Sequence, residues 1–146
     1  MKSFNTKIIA ISNQKGGVGK TTSAVNIAAF LAITETPTLL IDMDPQANAS
    51  IGVGIDSSSS KHSIYDILIN QKNIKKCIQN TDIEYLDVIP SSANLAGAEI
   101  ELVSMFTRES ILKEALTNIY GKYKYIIIDS PPSLGLLTVN IFTAAD

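Results

Sequence analysis

The sequence predicts an α/β fold: a three-layer sandwich with a mostly parallel central sheet flanked by helices. Three features carry that expectation. Short apolar runs at 7–12, 38–41 and 125–128 read as strands buried on both faces, the habit of parallel sheets. Segments with helical spacing separate these runs, as strand-helix-strand units require. Between the first run and the first helix lies a loop with three glycines in four positions, Gly16 to Gly19.

Composition sets the bounds. A chain of 146 residues, 45% hydrophobic and 18% charged, is one domain's worth and has enough apolar material to exclude disorder. A net charge of -2 and a pI near 5.3 argue against strong nucleic-acid binding by this stretch alone, which needs a basic face. The single Cys77 and single His62 leave no Cys/His cluster for zinc or an iron-sulfur centre. Residues 1–7 carry no apolar core of signal-peptide length, and no run reaches the roughly 18 apolar residues of a membrane span, so the cytoplasm is the expected compartment.

In chain order, the strand at 7–12 is followed by Lys15-Gly16-Gly17-Val18-Gly19-Lys20-Thr21-Thr22 and a helix over 21–33. That helix is apolar almost all round, which predicts burial, and its alanines should allow close approach to the sheet. A strand at 38–41 ends at Asp42 and runs into Met43-Asp44-Pro45-Gln46-Ala47-Asn48. The stretch 51–61, with two glycines and four consecutive serines, reads as a mobile loop. Ser63-Ile64-Tyr65-Asp66 has the form of a capping box opening a short helix. Lys72, Lys75 and Lys76 form a small basic group that reads as a solvated face. A third strand is expected over 84–89, then helices reaching about 106 and spanning 109–119, with Gly121 as a C-cap. The last strand, 125–128, delivers Asp129 to its carboxyl end, before Ser130-Pro131-Pro132. Four strands are identifiable in all.

The chemistry gathers at the strand ends. Glycines let a loop turn its N–H groups on one point, and a helix starting near Lys20 adds unpaired amides and a positive dipole end, together an anion site. Lys20 then supplies charge to outer phosphates and the Thr21 hydroxyl ligates magnesium. Gln14 stands where the generic phosphate-loop pattern has its first glycine, and Lys15 adds a second cation. Asp42 and Asp44 lie at the strand edge where open α/β sheets bind ligands, one suited to supporting the ion's shell and the other to positioning water. Asp129, ending an all-apolar strand, is suited to holding a water on magnesium.

These blocks together resemble the ParA (Soj) partition ATPases, within the deviant Walker A group of P-loop NTPases. Residues 15–22 match the family's Lys-Gly-Gly-x-Gly-Lys-Thr-Thr, 42–48 its switch segment and 126–132 its Walker B segment. Further matching text lies at 63–68, at Ile89-Pro90-Ser91 and at 95–102. The resemblance implies ATP and Mg2+ as cofactors, bound through residues 15–22. It implies Lys15 reaching the phosphates of a partner across an ATP-dependent homodimer, Lys20 as the Walker lysine, and Thr21, Asp44 and Asp129 around the metal. Asp44 positions the attacking water, and Asp42, Pro45 and Gln46 support the switch. It also implies a ParB-like centromere-binding partner, non-specific DNA binding through a surface largely outside this chain, a nucleoid-associated protein in the cytoplasm, and no membrane. Departures are Ser130 for the commoner cysteine or threonine and Thr36-Pro37 for a Gly-Lys turn. The family continues with further strands, an adenine-contacting segment and a basic surface, so the 146 residues are expected to be the N-terminal part of a longer protein. The alternative is a MinD-like membrane-cycling regulator of cell division, whose switch lacks the Pro-Gln-x-Asn text and which needs an amphipathic helix.

Overall fold

The computed structural model describes residues 3–146. Five strands form one sheet: β1 (Lys7–Ile11), β2 (Thr38–Asp42), β3 (Gln79–Asn80), β4 (Leu86–Ile89) and β5 (Tyr125–Asp129), in the order β1-β5-β2-β4-β3. Every pairing is parallel except β3 with β4. Around the sheet lie α1 (Lys20–Ile33), α2 (Asn48–Gly52), α3 (Ile64–Leu68), α4 (Leu95–Val103), α5 (Ile111–Leu116) and α6 (Leu136–Ala144).

The period of two along each strand divides the core into two layers. Leu39, Ile41, Ile126 and Ile128 pack on the side covered by α3, α4, α5 and α6, while Leu40 and Ile127 pack against α1 and α2. The expected sandwich is therefore present. The Ser63 capping box is present too, with the Ser63 side chain accepting from the Tyr65 amide and the Asp66 carboxylate accepting from Ser63 N.

Four local expectations are corrected. α1 is not buried all round: Ala24, Ala28 and Ala32 form its buried stripe, whereas Phe30 and Ile33 are 67% and 73% exposed. Small residues at helical spacing seat the helix close to the sheet with Val25 and Leu31 beside them, and Ile27, Phe30 and Ile33 point away. β1 is not buried on both faces, since Ile9 is 38% exposed. It is an edge strand, paired with β5 alone among the described residues, and the order of strands cannot be read from an apolar run. Its outer side is met at Ile8, whose carbonyl accepts from Asp146 N at 2.9 Å and whose amide donates to Asp146 Oδ2 at 2.8 Å. There are five strands, not four; β3 is only two polar residues long and gives no periodic signal. Finally, 51–61 is not one loop, because Ile51 and Gly52 finish α2 and Ser57–Ser59 form a 3-10 turn capped by Asp56.

One tie between helices positions a loop of the site. The Glu99 carboxylate, on α4, accepts from the amides of Leu136 and Leu137, the first turn of α6. Unpaired amides there attract an acid through both hydrogen bonding and the helix dipole.

Candidate functional site

Strand register brings the chemistry to one edge. Asp129 is level with Ile11 on one side and Asp42 on the other, so three parallel strands end together. The loop 12–19 leaves β1 at that edge and enters α1 through Gly19.

Gly17 and Gly19 have φ of 70° and 87°, and a Cβ built on either meets nothing within 4 Å. Their requirement is thus conformational: a left-handed backbone that folds the loop over the start of α1. Lys15, Gly16, Gly17, Val18 and Thr22 are exposed. The Lys15 amide donates to Asn13 Oδ1 at 2.9 Å, while its side chain stands beside a crevice of about 530 Å³ walled by Ser133, Leu134 and Phe142. Lys20, by contrast, is buried and makes no salt bridge among the described residues.

The Thr21 hydroxyl donates to Asp129 Oδ2 at 2.8 Å. The other oxygen of that carboxylate, Oδ1, is buried without a hydrogen-bond partner, as is Ser130 Oγ. Burial pushes the Asp129 carboxyl up to about 6, and the charges of Asp42 and Asp44 push the same way against the Thr21 hydrogen bond and the Lys20 ammonium. Lys20, Thr21, Asp42, Asp44 and Asp129 are therefore one electrostatic unit. A buried lone cation beside a half-satisfied carboxylate is costly by itself. It fits a phosphate group bound with a divalent ion. Thr21 Oγ1 and Asp129 would hold that ion, with water and phosphate completing its ligands.

Asp42 and Asp44 have different duties. Asp42 is fully buried, and its carboxylate accepts from Ser50 N, Ser50 Oγ and Asp44 N at 2.8, 2.7 and 3.1 Å. Desolvation raises its pKa, opposed by these bonds. Its carboxylate is thus fully engaged within the segment that follows β2. Asp44 is 8% exposed, with Oδ1 accepting from Gln46 N at 2.9 Å and Oδ2 left for another partner. Pro45 and Gln46 form the turn after it, closed where Ala47 N donates to Asp44 O, and Ala47 takes a left-handed φ of 59°.

No periodic or charge pattern marks two further residues here, Ser50 and Ser91. Both are fully buried beside Asp42 and Asp44. The Ile89-Pro90-Ser91 text was the single sequence clue to the second.

The profile of the AAA domain family matches residues 6–146. The chain belongs to the AAA domain family. Within it the chain resembles the Bacillus subtilis sporulation initiation inhibitor protein Soj, 54% identical, and the Myxococcus xanthus chromosome partitioning protein ParA, 53% identical, each over 96% of this chain. The chain spans about half the length of these curated relatives, 55% and 50%. Among solved structures, cobyrinic acid a,c-diamide synthase from Mycobacterium smegmatis with bound ADP and magnesium superposes with a TM-score of 0.92 at 38% identity, covering 96% of this chain and 57% of that one. The family's fold, a P-loop NTPase sandwich, is the fold described above.

Proposed function

We propose that this chain is the nucleotide-binding half of an ATP-hydrolysing partition protein that acts as an ATP-dependent homodimer on non-specific DNA, with a ParB-like partner stimulating turnover. The observation that carries the reading is the Thr21–Asp129 pair beside the buried, unpaired Lys20, at the mouth of a glycine loop. ATP and Mg2+ are the ligands, as a nucleotide and magnesium are in the Mycobacterium smegmatis synthase.

The chain's own groups divide the work. Amides of 16–22 and the Lys20 ammonium bind the β- and γ-phosphates. Magnesium, when bound, would supply neutralisation of phosphate charge. Thr21 and Asp129 orient its ligand shell. Asp44 Oδ2 orients the attacking water, and the exposed Lys15 reaches into the site of a second copy, where a cation beside the transferred group is worth about 10³- to 10⁵-fold in rate. The sequence relatives, Soj at 54% and ParA at 53% identity, support partition. These relatives do not favour the MinD-like alternative.

The test is binding of a labelled random-sequence DNA duplex to the full gene product with a slowly hydrolysed ATP analogue or with ADP. Binding with the analogue alone is expected; no binding in either state would overturn the partition reading.

A further inference from the structure

We propose that Ser50 and Ser91 are positioning residues for Asp44, closing a ring of hydrogen bonds that fixes the backbone of the switch against β4. The inference rests on the assignment of Asp44 to ATP hydrolysis.

Four bonds make the ring. Asp44 N donates to Asp42 Oδ1 at 3.1 Å, and Ser50 Oγ donates to Asp42 Oδ2 at 2.7 Å. Ser91 N donates to Ser50 Oγ at 3.2 Å, and Ser91 Oγ returns to the Asp44 carbonyl at 2.5 Å. Asp42, Ser50 and Ser91 are wholly buried and Asp44 nearly so. In such a setting hydrogen bonds are strengthened by the low dielectric and a broken member is left unsatisfied.

The consequence is geometric. The ring grips the amide N–H and the carbonyl of Asp44, the two peptide groups that flank its Cα, so the Cα–Cβ direction is set before the side chain chooses a rotamer. Gln46 N then holds Oδ1, which aims Oδ2. The anchor is outside the switch: Ser91 follows Pro90 at the end of β4, and β4 is hydrogen-bonded to β2, the strand that delivers Asp42. Ser50 lies in α2, six residues after Asp44, and its hydroxyl links Asp42 at the end of β2 to Ser91 beyond β4. The ring therefore spans β2, α2 and β4, and either hydroxyl is needed to close it.

A residue acting only through Asp44 should slow chemistry and spare binding. In single-turnover hydrolysis by the full gene product, Ser91→Ala and Ser50→Ala should each lower the rate roughly 10- to 100-fold, the cost of a small misplacement. Affinity for a fluorescent, slowly hydrolysed ATP analogue should stay at the wild-type value. Ser91→Thr, which keeps the hydroxyl, should recover most of the rate. Adding Ser91→Ala to Asp44→Ala should change nothing further. A wild-type rate in Ser91→Ala, an additive loss in the double variant, or loss of rate and nucleotide affinity together would overturn the positioning role while leaving Asp44 in place. Normal turnover by Asp44→Ala would instead overturn the hydrolysis assignment and this proposal with it.

Discussion

On the proposed function, Lys15 and Asp44 serve the consumption of ATP rather than its binding, and removing either side chain should separate the two. If the exposed Lys15 side chain serves a second copy as proposed, Lys15→Ala should leave nucleotide affinity intact and abolish partner-stimulated turnover. Asp44→Ala should accumulate an ATP-bound dimer, visible by sizing chromatography with ATP and magnesium; a monomer that cycles normally would refute the assignment. Asp129 carries a pH signature as well. Its folded pKa of about 6 lies above the ordinary carboxyl value of 3.8, so between these values the native state keeps a proton that the unfolded chain has released. Stability without nucleotide or magnesium should therefore fall as pH rises through that window and stay lower above it. Asp129→Asn should flatten the slope and raise Tm at neutral pH by a few degrees, on the order of 2–4 °C per kcal/mol gained. The same change should weaken magnesium-dependent nucleotide binding. Melting curves across pH, and a magnesium titration with the ATP analogue, check both halves.

At the scale of elements, α4, α6 and α1 hold the site in shape. Glu99→Ala strips the acceptor from two amides at the start of α6 and should cost about 1 kcal/mol in urea unfolding. Gly135→Ala should cost a similar amount for another reason. The φ of Gly135 is -79°, open to any residue, but an added Cβ would run into the Glu99 carboxylate. α1 rests on Ala24, Ala28 and Ala32 and carries Lys20 and Thr21 at its start. Ala28→Leu overfills that contact, should cost about 1–3 kcal/mol, and by lifting the helix should lower nucleotide affinity as well. Unaltered affinity in a folded Ala28→Leu protein would show that the loop does not depend on how α1 is seated.

Over the whole molecule, what could be read from the chain followed from contrast. An all-isoleucine run ending in Asp129, and a strand ending in Asp42 before Pro45, stand out because charge at the end of an apolar strand needs a reason. The loop 15–22 and its two lysines were legible for the same cause. Neutral hydroxyls offer no such contrast: Ser50 and Ser91 look like loop serines until the fold buries them. Glu99 shares its helix with a second acid, Glu101, and nothing local shows that its target is an amide 37 residues on. The burial of α1 was misjudged because hydropathy counts all apolar residues alike, while close helix–sheet contact selects the smallest. The exposed Ile9 of β1 was missed because position within a sheet is a property of pairing.

That pairing also sets a timetable. β1 and β2 follow one another in sequence but are not neighbours; β5 lies between them, pairing Ile11 with Asp129 and Asp129 with Asp42. A chain emerging from the ribosome thus holds its glycine loop and its switch long before it holds the strand that joins them. Closing so long a loop is slow compared with local helix formation. ATP capture should therefore begin only when β5 has paired and Asp129 is in place.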